Sequence, residues 1–183
     1  MIKKIVLTGG PSSGKTSVLE KIEQIYSAQG YRVILVDETA TYLINKGIKP
    51  FGEGKIDLVD FQELVMKMQL AKEDVIERAA QMMDDDKIII VYDRGAIDNR
   101  AYINEEEFKD VLTRLNNVVT IKDLMDKYDL VINLVGCKEF YTTDNNAARS
   151  EDSDSAMKLG DVTLRSWLGH KNIRIVYPKE TLA

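Results

Sequence analysis

An octet near the start of the chain combines residue types that bind the phosphates of a nucleotide. It follows the pattern G-x-x-x-x-G-K-[ST] and consists of Gly9, Gly10, Pro11, Ser12, Ser13, Gly14, Lys15 and Thr16. Its glycines let successive backbone N–H groups curl around a phosphate. Lys15 would place its ammonium on the β- and γ-phosphates, and Thr16 would offer its hydroxyl to Mg²⁺. The octet, with Ser17 directly after it, therefore predicts a loop that binds a nucleotide and Mg²⁺.

The segments on either side of this loop are those that the motif requires. Residues 2–8 are mostly apolar and β-branched, which is typical of a buried parallel strand. After the loop, apolar residues recur at the spacing of a helix, at Val18, Leu19, Ile22, Ile25 and Tyr26. A helix that begins here would point the positive end of its dipole at the phosphates.

Asp93 is the second candidate for a metal site. It ends the apolar run of residues 87–92, which is the form of a Walker B carboxylate that holds Mg²⁺. In the structural alternative, Asp93 caps the N-terminus of the next segment. Because the loop at residues 9–16 precedes it, the sequence favours the metal role.

Arg94 follows Asp93 directly, and the sequence allows two interpretations of it. Its guanidinium can clamp an anionic acceptor or orient a carboxylate by bidentate pairing. A surface or intramolecular salt bridge is nearly as well supported by the sequence. Asp98 and Arg100 follow Arg94 closely in the sequence and are weaker candidates for lining the opening of the same binding site.

Asp37 and Glu38 follow a second predicted strand, at residues 31–36. At that position a carboxylate can accept a proton from the hydroxyl of a substrate. The two residues compete for this role, and both can instead cap a helix that begins near Thr39. Spacing alone does not choose between these alternatives.

A long predicted helix that ends at about Met83 carries Gln62, Met66, Gln69 and Glu73 on one face. Glutamines on a helix that faces a cleft can read the edge of a base, because the amide both donates and accepts hydrogen bonds. The pattern alone favours the simpler interpretation, which is a polar outer stripe.

Arg149 lies in a polar segment without clear periodicity, at residues 138–155. An arginine in such a segment can belong to a lid that closes on the phosphates and excludes water. The alternative is an ordinary solvated loop residue.

Strands and helices are expected to alternate along the chain. The predicted strands are residues 2–8, 31–36, 87–92, 130–135 and 172–177. This order indicates right-handed crossovers and an α/β fold, with a five-stranded parallel sheet covered by helices on both faces. We expect the whole chain, 1–183, to be a single P-loop NTPase domain. Ligands of such sheets bind at the carboxyl ends of the strands, where the candidate residues above are expected to lie.

The composition argues against several other classes of protein. Of the 183 residues, 44% are hydrophobic and 30% are charged, as in ordinary soluble globular proteins. The net charge of −5 and the lack of a basic stretch argue against a nucleic-acid partner. No apolar run is long enough for a membrane span, and the opening run is too short for a signal peptide. The single cysteine, Cys137, excludes an internal disulfide and fits a cytoplasmic location.

Several motifs together resemble a branch of small P-loop kinases, the NadR-like proteins. They are LTGGPSSGKT, VDETATYLINKG with Glu38, Phe61-Gln62 with Gln69 and Glu73 following, VYDRGAIDNRAY with Asp93, and a stretch from NNAARSED to SWLGH. This group includes the nicotinamide riboside kinase domain of NadR and eukaryotic NadR-like proteins that bind GTP. The likeness spans nearly the whole chain.

The resemblance implies an ATP-dependent kinase, with GTP as an alternative donor, that phosphorylates a nucleoside-like acceptor of the nicotinamide riboside type. It places Glu38 near the acceptor hydroxyl, makes Arg149 the lid arginine, and makes Gln69 a candidate for contact with a substrate base. Two alternatives stay open, a nucleotide-binding switch with slow hydrolysis and a nucleoside monophosphate kinase. The sequence lacks an N-K-x-D tetrapeptide, which counts modestly against a standard GTPase. It fixes neither the acceptor nor the oligomeric state.

The candidate site thus has three groups of residues besides the loop at 9–17. The candidate catalytic residues are Lys15, Glu38, Asp93 and Arg149, the candidate substrate contacts are Glu38, Gln69 and Arg94, and the candidate Mg²⁺ ligands are Thr16 and Asp93.

Overall fold

Five strands form one parallel sheet in the residues that the computed structural model describes, which are 1–115, 119–136 and 153–178. The strands are β1 (Ile2–Gly9), β2 (Arg32–Val36), β3 (Ile88–Asp93), β4 (Leu130–Leu134) and β5 (Ile173–Val176). They lie in the order β2-β3-β1-β4-β5, and every neighbouring pair is parallel. β1 is therefore the central strand, and it leads directly into the loop at residues 9–17.

Helices connect these strands, as the alternating pattern predicts. They are α1 (Lys15–Ser27), α2 (Thr39–Asn45), α3 (Leu58–Gln81), α4 (Glu105–Arg114), α5 (Ile121–Asp126) and α6 (Ser153–Ser166). The longest helix, α3, begins after Asp57, whose side chain accepts from the backbone N–H of Val59 at 2.8 Å and satisfies one of the free donors of the first turn. A 3₁₀ helix, Ala96–Ala101, follows β3 and was not expected from the sequence.

The sheet separates two apolar cores. Val6 of β1 faces a large core with Trp167 and with side chains of α3, α4 and α5. The next residue, Leu7, faces the other side, where Val18 and Ile22 of α1 cover the sheet. Because successive residues of a strand point to opposite faces, one strand contributes to both cores. The predicted α/β fold, with helices on both faces of a five-stranded parallel sheet, is confirmed.

The carboxyl ends of β1, β2 and β3 lie at the same edge of the sheet, and the segments that follow them open onto one cleft. Most of the segment predicted as a lid, including Arg149, lies outside the described residues, and its last three residues, 153–155, begin α6. No helix in the described ranges is both long enough and apolar enough to cross a membrane.

Candidate active site

The loop between β1 and α1 has the curled backbone that its glycines predict. Gly9 has a φ of 140°, and a Cβ atom at this position would lie 2.2 Å from the carbonyl oxygen of Leu134 in β4. Gly14, with a φ of 82°, caps the N-terminus of α1 in the left-handed conformation. Both backbone conformations are costly for a residue other than glycine, and at Gly9 a side chain would also collide with β4. The N-terminus of α1 opens toward the same cleft.

The Lys15 ammonium lies against the loop that carries it. It donates to the carbonyl oxygens of Gly9 and Gly10 at 3.3 and 3.0 Å. Burial and, to a smaller extent, the nearby Arg94 guanidinium lower the pKa of Lys15 to about 8. A buried cation beside a second cation is stabilised by an anion. The environment of Lys15 therefore suits the binding of a phosphate.

Asp93 and Thr16 provide oxygen atoms that suit Mg²⁺. The Oδ1 atom of Asp93 is buried and has no hydrogen-bond partner among the described residues. Burial and the neighbouring Glu38 carboxylate raise the pKa of Asp93 to about 6, so the group is ionised at neutral pH. Thr16 is exposed and lines the same cleft. A buried carboxylate oxygen without a donor fits an ion that keeps several of its own waters, as Mg²⁺ does.

The structural alternative for Asp93, a helix cap, is wrong. The 3₁₀ helix begins after Gly95, and the side chain that accepts from the Gly95 N–H, at 2.7 Å, is that of Asp98. Asp98 also accepts from the Thr8 hydroxyl and, at 3.1 Å, from the Trp167 indole. Asp98 therefore ties the end of β1 to the turn after β3, and its oxygens are used in doing so.

Glu38 and Arg94 form an ion pair where the ends of β2 and β3 meet. The Nε of Arg94 donates to Oε1 of Glu38 at 2.5 Å, and Nη1 donates to the carbonyl oxygen of Gly9 at 3.3 Å. Oε2 of Glu38 accepts from the Thr41 hydroxyl at 2.7 Å. Of the interpretations open for Arg94, the structure supports the pairing with a carboxylate inside the protein.

The ion pair determines the protonation state of Glu38. Burial by itself would raise the pKa of Glu38, but Arg94 and Lys15 outweigh it and hold that pKa below its ordinary value. Glu38 is therefore ionised at neutral pH and can accept a hydrogen bond from a hydroxyl group. A carboxylate with a lowered pKa is a weak base, so it orients a hydroxyl better than it deprotonates one.

Glu38 and Asp37 differ in their surroundings, although both line the cleft. Only Glu38 joins the ion pair with Arg94, whereas Asp37 is exposed and its carbonyl oxygen accepts from the Lys72 ammonium. Glu38 occupies the N-cap position of α2, as the structural alternative predicts, but its side chain makes no cap hydrogen bond.

The cleft extends from the phosphate-binding loop to a second, more apolar region. Its volume of about 1050 Å³ lies at the upper end of the range for small-molecule sites. The second region is bounded by residues of α2, the loop after it, α3 and the 3₁₀ helix. Its apolar lining residues include Tyr42, Ile44, Phe51, Leu58, Phe61 and Tyr102. The Glu38–Arg94 pair contacts both regions, because Arg94 donates to Gly9 of the loop and Glu38 accepts from Thr41 of α2.

The prediction that α3 carries a polar outer stripe is wrong. Gln62, Gln69 and Glu73 are at most 6% exposed, and Gln62 and Gln69 line the cleft. The helical period correctly placed these residues on one face, but it could not tell a solvated face from one that faces a cleft, because both are polar.

The two glutamines differ in how their amides are used. Nε2 of Gln69 donates to Oε1 of Glu73 at 3.1 Å and to the carbonyl oxygen of Arg94 at 3.3 Å, and Oε1 of Gln69 accepts from Asn99 at 3.4 Å. The amide of Gln62 makes no hydrogen bond with any of the described residues. Of the two, Gln62 has the amide that is available to a ligand, although the sequence singled out Gln69.

The sequence placed Arg100 at the cleft, but the structure does not. Its guanidinium pairs with Glu105 of α4 at 2.7 Å instead. The sequence also gave no reason to select Phe51, Leu58, Asn99 or Tyr102, which line the second region. These residues come from a loop, a helix start and a 3₁₀ helix, where hydrophobic periodicity gives no signal.

Comparisons with known proteins agree with this fold. The family described as AAA domain matches residues 4–183. Among solved structures, the chain is similar to that of deoxyadenosine kinase from M. mycoides with bound dATP, with a TM-score of 0.59 and 15% sequence identity over 95% of this chain and 90% of that one. At this identity the similarity concerns the fold. A search of the curated proteins finds no significant match.

Proposed function

The chain belongs to the AAA domain family, and on this premise we propose that it is a Mg²⁺-dependent kinase that transfers the γ-phosphoryl group of ATP to a small acceptor. The acceptor carries a hydroxyl group and is nucleoside-like, with a ribosylnicotinamide-type compound as one candidate. GTP is the alternative donor. We expect the protein to act in the cytoplasm and without a nucleic-acid partner.

One observation carries this proposal, which is that the Glu38–Arg94 pair contacts the loop at residues 9–17 through Gly9 and the second region of the cleft through Thr41 of α2. On one side lie the phosphate-binding loop and Asp93, and on the other lies the mostly apolar region. A switch that hydrolyses its nucleotide needs only the first region. A kinase needs both, with a carboxylate where the γ-phosphate of the donor meets the hydroxyl of the acceptor.

The roles of the residues follow from their contacts. Lys15 and the N–H groups of the loop would bind the β- and γ-phosphates, while Thr16 and Asp93 would hold Mg²⁺, which neutralises phosphate charge when bound. Glu38 would accept a hydrogen bond from the acceptor hydroxyl and orient its oxygen toward phosphorus. Arg149, as the predicted lid arginine, would add positive charge over the phosphates.

The lining of the second region supports a nucleoside-like acceptor. Phe51 and Phe61 offer apolar surface to a planar ring, and Gln62 has an amide that can both donate to and accept from the edge of that ring. We therefore assign the contact with the base to Gln62, because the amide of Gln69, which also lines the cleft, already bonds to Glu73, Asn99 and the Arg94 carbonyl oxygen. Because the Gln62 amide makes no hydrogen bond with the described residues, a ligand that bonds to it would displace no protein partner.

A nucleoside monophosphate is a poorer fit as acceptor. Its phosphate needs a free cation in the acceptor region. Of the described residues that line the cleft, only Lys15 and Arg94 are cationic. Lys15 lies on the phosphate-binding loop, and Arg94 already pairs with Glu38.

The proposal is tested by measuring ADP release from Mg²⁺-ATP with a panel of acceptors. The panel holds nucleosides, nicotinamide riboside and nucleoside monophosphates, and Lys15→Ala is the control. We expect one nucleoside-like compound to raise turnover well above the background, and Lys15→Ala to abolish the increase. A flat panel together with intact nucleotide binding would overturn the kinase proposal and favour a switch.

A further inference from the structure

Glu73 is a carboxylate that is buried in the protein and lies outside the cleft. Its side chain is 0% exposed, and it faces the turn after β3 from α3. It accepts from the Tyr128 hydroxyl at 3.0 Å and from Gln69 at 3.1 Å, and the Lys127 ammonium lies 3.4 Å away. Burying a carboxylate is costly even with these donors, and an apolar residue of similar size would pack there at lower cost.

The partners of Glu73 reach the turn that carries Arg94 in two places. Gln69, which donates to Glu73, also donates to the carbonyl oxygen of Arg94 at 3.3 Å. Tyr128, which donates to the same carboxylate, accepts from the backbone N–H of Ala96 at 2.9 Å. Glu73 thus fixes the direction of one amide and one hydroxyl, and each of them holds one end of the segment Arg94–Ala96.

This segment needs support from outside, because Arg94 has a φ of 68°. Residues with a Cβ atom adopt this left-handed conformation rarely, and they keep it where the surrounding contacts enforce it. The conformation directs the guanidinium toward Glu38 and Gly9. On the same turn of α3, Lys72 donates to the carbonyl oxygen of Asp37, directly before Glu38. One turn of α3 therefore holds the backbone on both sides of the ion pair.

We propose that Glu73 is a positioning residue for the phosphoryl transfer described above: through Gln69 and Tyr128 it holds the left-handed turn at Arg94, so that Arg94 pairs with Glu38. The expected effect of Glu73 on turnover rests on the proposed function. The expected effect of Glu73 on the position of Arg94 does not depend on that function. Glu73 touches neither substrate, because it does not line the cleft.

The first test reads the Arg94 side chain directly. The Nε–H resonance of Arg94, identified by its loss in Arg94→Lys, is compared by ¹⁵N NMR in the wild type, Glu73→Gln and Glu77→Gln. Glu77 is a matched control, since it also lies near Lys127 and accepts from a tyrosine, Tyr92, at 3.1 Å, but the Tyr92 hydroxyl, unlike that of Tyr128, does not bond to the described segment Arg94–Ala96. We expect the resonance to shift or broaden in Glu73→Gln and to stay in place in Glu77→Gln. An unchanged resonance in Glu73→Gln would overturn the proposal.

The second test separates positioning from a general loss of structure. We expect Glu73→Gln to lower the acceptor-dependent kcat about tenfold while the nucleotide Kd stays within about twofold. In an Arg94→Lys background, where the pairing is already altered, the same substitution should have little further effect. Equal losses in both backgrounds would show that Glu73 acts independently of Arg94 and would overturn the proposal.

The two tests distinguish failure of this inference from failure of the proposed function. If no acceptor raises turnover, the kinase proposal fails, and the NMR comparison still decides the role of Glu73. If Glu73→Gln does not fold, Tyr128→Phe replaces it, because this change removes the hydroxyl between Glu73 and Ala96 and keeps the aromatic ring. We expect Tyr128→Phe to shift the Arg94 resonance in the same direction, and an unchanged resonance would overturn the proposal.

Discussion

The two halves of the cleft, which we propose bind the phosphates of the nucleotide and the acceptor, are built in different ways. The phosphate half is one continuous stretch, residues 9–17, whose shape follows from glycines at fixed positions and from the start of α1. The acceptor half is assembled from α2, α3, a loop and a 3₁₀ helix that are far apart in the chain. A continuous site depends on its own few residues, whereas an assembled site depends also on buried groups behind it. Substitutions in the two halves should therefore have different effects.

The largest effect is expected in the phosphate half, from Lys15→Ala. The variant removes the only cation of the loop, so acceptor phosphorylation should fall by a factor of about 10²–10³, which corresponds to about 3–4 kcal/mol of transition-state stabilisation. The measurement is kcat/KM for the best acceptor, with the Tm of each protein as a control for folding. A variant that keeps activity within about tenfold of the wild type would contradict the role of Lys15.

The second effect lies at the boundary between the halves. Glu38→Gln keeps the shape of the side chain but removes the charge that accepts from the acceptor hydroxyl, so kcat should fall about 10²-fold. The nucleotide Kd should change little. Asp37→Asn is the matched control, since Asp37 also lines the cleft but lies outside the ion pair. If Asp37→Asn costs more turnover than Glu38→Gln, the roles of the two carboxylates are reversed.

The third prediction compares two glutamines of the acceptor half. Gln62→Met should raise the KM for the acceptor roughly tenfold and leave the Tm unchanged, because the amide bonds only to the ligand. Gln69→Met should lower the stability by about 1–3 kcal/mol, because it removes one donor of the buried Glu73 carboxylate and the side-chain donor to the Arg94 carbonyl oxygen. The measurements are acceptor titrations and thermal unfolding. The opposite pattern would return the contact with the base to Gln69.

The smallest effect is the pH dependence of Mg²⁺-nucleotide binding in the phosphate half. Asp93 must lose its proton to hold Mg²⁺, and its pKa is raised to about 6. The affinity for Mg²⁺-nucleotide should therefore be steady above pH 7 and fall roughly tenfold by pH 5, as the carboxylate becomes protonated. Asp93→Asn should bind more weakly and lose this pH dependence. The measurement is isothermal titration with Mg²⁺-ADP across the pH range.

The same raised pKa predicts a change in stability without nucleotide. A carboxyl group whose pKa is raised by folding stabilises the folded state at low pH, and this contribution is lost as the pH rises through the folded value of about 6. Asp93→Asn should therefore raise the Tm of the free protein at pH 8 and change it less at pH 5. An equal Tm for the two proteins at pH 8 would show that the Asp93 carboxylate is not strained in the free state.

The fold and the curled backbone of the loop at residues 9–16 could be predicted for the same reason, which is that their signals in the sequence are local. Strands 2–8 and 87–92 are short apolar runs between turn residues, and the octet at 9–16 is a local motif whose geometry needs no distant contact. Asp93 could be placed near this loop because the parallel order brings the ends of β1 and β3 together.

The acceptor half could be predicted only in part. The helical period put Gln62 and Gln69 on one face of α3, but which amide is free depends on Glu73 and Asn99, and their positions follow from tertiary packing. The pairing of Arg94 with Glu38 depends on the left-handed backbone of Arg94, for which the sequence has no signal. The prediction for Arg149 falls outside the described residues and stays a prediction.

The central claim is that the phosphoryl group goes to an acceptor hydroxyl and not to water. The most direct measurement follows the label of γ-³²P-ATP and compares the amount of phosphorylated acceptor with that of inorganic phosphate, for wild type and Glu38→Gln. We expect the phosphorylated acceptor to be the main product in the wild type and to decrease in Glu38→Gln. Inorganic phosphate as the main product with every acceptor, in equal amounts for both proteins, would contradict the claim.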